Sequence, residues 1–142
     1  VFGYTSGGND ATIFNTIDKF PFSTDSNSTD VGDLTQTRDR SSGQSSTTSG
    51  YTSGGFTGST RTSTIDKFPF STDSNATDVG DLTRGDTSAG STGQSSTTHG
   101  YVSGGRYPLT NAIDKFSFTS DGNSSDVGDL TRGAYVSAGQ QV

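Results

Sequence analysis

Cysteine, methionine and tryptophan are absent from these 142 residues, proline occurs three times and histidine once. Without cysteine no disulfide, thiolate metal site or thiol nucleophile is available, so stability has to come from packing and hydrogen bonding. Hydrophobic residues make up only 25% of the chain, which underfills a conventional globular core. No apolar run approaches membrane-spanning length, and Val1-Phe2-Gly3-Tyr4 carries no signal-peptide pattern. The nine Lys and Arg stand singly against fifteen acidic residues, a net charge of −6, which argues against nucleic acid and membrane surfaces as partners.

What the chain does have is repetition. Thr64 to Thr83 recurs as Thr16 to Thr35 and as Ala112 to Thr131. Ile17, Ile65 and Ile113 stand at equal intervals of 48 residues, as do Leu34, Leu82 and Leu130. Disorder does not hold apolar residues at fixed positions while the polar residues between them change, so the period marks an ordered unit. Similar segments at 3–49, 50–99 and 100–142 form a single repeat domain over residues 1–142.

Each period reads as about four short strands. The first is the Tyr strand ending in a Gly-Gly doublet: Gly7-Gly8, Gly54-Gly55 and Gly104-Gly105. A connection of variable sequence follows, at 9–15, 56–63 and 106–111, expected as an exposed loop. The next strand carries Ile17, Phe20 and Phe22, then Ile65, Phe68 and Phe70, then Ile113, Phe116 and Phe118. Its apolar residues fall on both parities, as in a strand packed between two neighbours. Pro21 and Pro69 mark a strand end or bulge. Val31-Gly32, Val79-Gly80 and Val127-Gly128 lie in a short bulged strand. The Ser/Thr/Gly stretch through Gly43-Gln44-Ser45, repeated at Gly93-Gln94-Ser95, is expected as a narrow inner strand, and Tyr135 to Val142 begins the same unit again.

Four strands per period fit a propeller blade better than a helical repeat, with a capped solenoid as the alternative. The order Tyr51-Thr52-Ser53-Gly54-Gly55, then Ile65-Asp66-Lys67-Phe68, then Leu82-Thr83-Arg84 resembles the Kelch-type β-propeller repeat, although no downstream Trp is present. The fuller wording of the repeat is similar to predicted proteins of marine bacteriophages and aquatic bacteria. The resemblance implies an all-β propeller of three blades per chain and a virion-associated or extracellular setting. Three blades are too few for a ring of four to eight. The expectation is therefore a homodimer closed head to tail into six blades, with strand exchange at the termini; an excised fragment of a longer chain would keep the blades and change the closure.

Candidate chemistry is sparse. Asp25, Asn27 and Asp30, repeated as Asp73, Asn75, Asp78 and as Asp121, Asn123, Asp126, present oxygens at short intervals that could surround Ca²⁺. Turn capping explains the same pattern, and no glutamate closes an EF-hand loop. The same turns carry N-glycosylation acceptor spellings at Asn27, Asn75 and Asn123. Arg38, Arg84 and Arg132 follow a Leu-Thr pair and are expected to bond carboxylates or carbonyls between blades. His99 has no acid or metal partner in the sequence. No nucleophile motif or phosphate loop is found, so no catalytic residue and no required cofactor is assigned. The leading expectation is a non-enzymatic structural or interaction module. Its contacts with a protein or glycan would come from the variable loops: Phe56 and Arg61 in the second, Arg106 and Tyr107 in the third. A lectin-like carbohydrate-binding role is the first alternative; a hydrolase or lyase working through Asp residues is the second.

Overall fold

The computed structural model describes residues 1–85 and 89–141. Its chain forms strands throughout: β1 (Phe2–Asn9), β2 (Ile13–Pro21), β3 (Thr29–Asp33), β4 (Ser42–Ser45), β5 (Ser49–Ser53), β6 (Thr64–Pro69), β7 (Thr77–Asp81), β8 (Thr92–Ser95), β9 (His99–Ser103), β10 (Ala112–Ser117) and β11 (Ser125–Asp129). They pair antiparallel into three separate sheets, β1-β2-β3, β4-β5-β6-β7 and β8-β9-β10-β11. β2 and β6 end on Pro21 and Pro69, where the missing backbone donor does not interrupt a ladder. The inner strands expected at Gly43 and Gly93 are present as β4 and β8, whereas Val142 lies outside the described residues.

Each unit repeats one irregularity. The register shifts between Ile17 and Asp18, between Ile65 and Asp66, and between Ile113 and Asp114. The bulge needs Gly80 opposite Ile65 with φ of +152°, a conformation that side chains with a Cβ rarely adopt. It also lets the next unit come close: a Cβ at Gly32 would lie 2.5 Å from the Ser74 carbonyl oxygen.

The sheets pack face against face. Ile17, Leu34, Phe68 and Ala76 are buried between the first and second, flanked by Tyr4 and Phe70. Tyr51, Ile65, Leu82, Val102 and Phe116 are buried between the second and third, flanked by Val79 and Phe118. Both faces of the middle sheet are covered, so β5 is buried along its whole length, and β6, the strand with apolar residues on both parities, is mostly buried as that pattern requires. Tyr4 stacks on Phe70 at 4.9 Å and Tyr51 on Phe118 at 4.7 Å, so one contact is built twice. Burial of each such ring contributes roughly 1.5–3 kcal/mol. Ile113 and Leu130 are half-buried and Phe22 is exposed, because the outward faces of the end sheets have no sheet against them.

The Kelch-type propeller, closed to six blades with a second copy, is not the architecture found. The three sheets are discrete, and none is closed or strongly curled. The repeat dictates which residues pair within a sheet, but a closed ring also depends on the rotation from one sheet to the next, set by the loops and inter-sheet contacts. The first unit departs further. Gly7-Gly8 is a bulge inside a long β1 rather than a terminal bend, because the first variable connection folds as a hairpin from Asn9 to Ile13.

Candidate functional site

The variable loops converge on one place. The backbones of Asp39 and Phe56 exchange two hydrogen bonds, of 3.0 and 2.9 Å. The Gly90 amide donates to the Arg40 carbonyl at 2.8 Å, the Val136 amide to the Gly90 carbonyl at 2.7 Å, and the Arg106 amide to the Ala89 carbonyl at 3.2 Å. Five segments distant in sequence are thereby tied around a cavity of about 410 Å³, lined by Arg40, Phe56, Arg61, Arg106, Tyr107 and Tyr135 among others. All four loop residues singled out from the sequence, Phe56, Arg61, Arg106 and Tyr107, are in its wall. Arg40 and Tyr135 were missed. Each follows a strand of the repeat without matching its other copies, and only the fold shows that these irregular connections share one end of the stack.

The wall is a set of guanidinium planes on rings. Arg61 and Arg106 flank Tyr107 at 4.7 and 4.2 Å from its centroid, and Arg106 also lies 4.6 Å from the Tyr135 ring. Arg40 stands 5.6 Å from Phe56. Stacking fixes the guanidinium planes while leaving their edge N–H donors free. Among the described residues no carboxylate pairs with Arg61 or Arg106; Arg40 has Asp39 at 3.5 Å with its own side chain largely exposed. In a chain of net charge −6, three cations gathered without an equal number of acids among the described residues form a local anion-attracting field.

The backbone is strained at the same place. Among the described residues four non-glycine residues have a left-handed φ, and three of them, Arg40, Tyr107 and Val136, line this cavity. Each such residue costs on the order of 1–3 kcal/mol, and strain of this kind concentrates where a side chain must be aimed.

The repeated Asp and Asn side chains do other work. Asp73 and Asp121 accept from Lys19 and Lys67, each at 2.9 Å, and Asn75 and Asn123 accept from the Asp33 and Asp81 amides, each at 3.0 Å. Asp30 and Asp78 accept from the amides of Gly32 and Gly80, and Asp126 from Gly128 and Arg84. These groups mainly join one sheet to the next, and among the described residues no three His, Cys, Asp or Glu side chains converge as a metal site. His99 bonds its neighbour Thr98 through Nδ1.

The three Leu-Thr arginines are not equivalent. Arg38 is fully buried, pairs with Asp66 at 2.6 Å and donates to the carbonyls of Thr64 and Thr52. Arg84 is partly exposed and reaches Asp126 and Thr110. Its structural counterpart in the first unit is Gln36, which donates to Thr62 and Thr64. Arg132 is exposed.

No helix among the described residues is long and apolar enough to cross a membrane. No family model matches the chain, and no curated protein matches it. The Kelch-type and bacteriophage resemblances thus find no support in sequence comparison, in agreement with the open sheets.

Proposed function

We propose that this protein is a non-enzymatic interaction module whose loop-end cavity binds a carboxylated saccharide in an extracellular setting. The observation that carries the reading is the cluster of Arg40, Arg61 and Arg106 stacked on Phe56, Tyr107 and Tyr135, two of the three arginines having no acidic partner among the described residues. A guanidinium edge matches a carboxylate with two parallel hydrogen bonds, and an exposed ring beside it receives the apolar face of a sugar. Among the described residues the lining includes no carboxylate, imidazole or hydroxyl nucleophile other than tyrosine, which supports binding rather than hydrolysis.

The test is a glycan array carrying uronic-acid, sialylated and neutral oligosaccharides, followed by titration calorimetry with the best acidic probe. Acidic glycans are expected to be retained and neutral ones not. Arg106→Ala is expected to weaken binding roughly 10- to 100-fold, the value of one charge-assisted contact. Binding of neutral glycans alone, or acidic binding untouched by Arg106→Ala and Arg61→Ala, overturns the reading.

A further inference from the structure

The two outward faces of the three-sheet stack are counterparts of surfaces that already meet inside the chain. Within it, a Tyr of one sheet stacks on a Phe of the next, Lys19 and Lys67 reach Asp73 and Asp121, and Thr35 and Thr83 bond Asp66 and Asp114. The third sheet presents the donor half of this set, Tyr101, Lys115 and Thr131, and among the described residues none of these side chains has a ring or carboxylate partner. The first sheet presents the acceptor half, Phe22, Asp25 and Asp18. Phe22 is 64% exposed.

The inner strands tell the same story by register. β4 pairs with β5 through Gly43 opposite Thr52 and Gln44 opposite Tyr51, and β8 pairs with β9 through Gly93 opposite Val102 and Gln94 opposite Tyr101. β1, the counterpart of β5 and β9, has β2 on one side and, among the described residues, no strand on the other. Beside that edge runs a groove of about 370 Å³ lined by Phe2, Tyr4, Ser6, Gly43, Gln44 and Phe70 among others. Gly139-Gln140-Gln141 repeats the inner-strand wording and lies against β8 as β8 lies against β4. Ser95 N–H donates to Gln141 Oε1 as Ser45 N–H donates to Ser95 Oγ. A Cβ on Gly93 would strike the Gly43 carbonyl and one on Gly139 would lie 2.9 Å from the Gly93 carbonyl, whereas a Cβ on Gly43 would meet nothing within 4 Å. The groove is the size and place of one more inner strand.

We propose that the segment Ala138 to Gln141 of one copy adds to the free edge of β1 in a second copy. Gly139 then stands opposite Thr5 and Gln140 opposite Tyr4, while Tyr101 and Lys115 of the first copy seat on Phe22 and Asp25 of the second. Main-chain pairing supplies the affinity, and the Gly-Gln wording with the Lys–Asp pair supplies the specificity. The like net charge of two copies is screened beyond about 8 Å at physiological salt, and the groups that face each other across the contact are of opposite sign.

The experiment is sedimentation velocity with light scattering on the 142-residue protein at micromolar concentrations. The parent is expected to give masses above one chain. A chain shortened to end at Val136 is expected to run as a single folded copy that binds a labelled peptide of residues 137–142. Gly43→Ala, whose added Cβ meets nothing within 4 Å in the isolated copy but would press on an incoming inner strand as one on Gly93 would press on Gly43, is expected to keep the thermal midpoint and lose association. Lys115→Asp and Asp25→Lys are each expected to weaken association roughly tenfold, about 1.4 kcal/mol, and their combination to restore it. A parent that stays at the mass of one chain overturns the proposal, as does association that survives both the truncation and Gly43→Ala.

Discussion

Arg38 is the residue whose role most exceeds its sequence context. Burial pulls its guanidinium below its ordinary value, with the Asp66 and Asp78 carboxylates acting the other way. The ion pair is retained in a fully buried site, where removing one partner strands the other. Arg38→Met is therefore expected to destabilise the fold by about 3 kcal/mol. The half-exposed Arg84 pair is worth less than about 1 kcal/mol, so Arg84→Met is close to neutral. Urea unfolding midpoints of the two variants check the difference, and equal shifts would reject the assignment. Sequence reading aligned Arg38 with Arg84 because both follow Leu-Thr. The 48-residue interval itself puts Gln36 opposite Arg84; what the fold adds is that Arg38, two residues further on, turns inward against Asp66.

At the scale of the strand, the repeated bulge is the element on which the stack depends. Gly32 and Gly80 combine a positive φ with a backbone from the next unit pressed against the α-carbon, Ser74 for the former and Gly122 for the latter. Gly128 has the same φ with nothing within 4 Å. Gly80→Ala is expected to cost on the order of 2–3 kcal/mol, from φ strain and displacement of the third unit together. Gly128→Ala bears the φ strain alone and is expected to cost about 1 kcal/mol. Thermal midpoints of the two variants decide it; equal losses would mean that the close approach contributes nothing. The bulge was legible from Val-Gly beside β-branched neighbours, but the contact it permits was not, since no local pattern names the residue of another sheet that will lie opposite.

For the whole molecule, the inter-sheet contacts set the response to alkali. The hydrogen bonds to Asp73 and Asp121 raise Lys19 and Lys67 above the ordinary 10.5. Burial likewise raises the Tyr51 hydroxyl above 10.0, with the nearby Lys67 opposing it. In each case the folded protein holds a proton that the unfolded chain releases first. Their contribution is thus fully present below about pH 10 and is lost as pH rises through the raised values. Urea midpoints are expected to fall above pH 10 in the parent, and to fall less in Tyr51→Phe, which removes one of the three groups. A midpoint flat to pH 11.5 (roughly one unit past the ordinary Lys value) would contradict this account.

The amino-acid sequence by itself determined the strands, their three-fold recurrence, the inner position of the Gly-Gln segments and the two-sided apolar pattern of the Ile-Phe-Phe strands. These follow from side-chain alternation and from spacing along one chain. The tertiary structure alone decided that the sheets stack open instead of closing, that Arg38 turns inward, and that Arg40 and Tyr135 join the loop residues Phe56, Arg61, Arg106 and Tyr107 around one cavity. Those outcomes rest on the angle between sheets and on contacts between loops far apart in the chain, and a period written along the sequence carries neither.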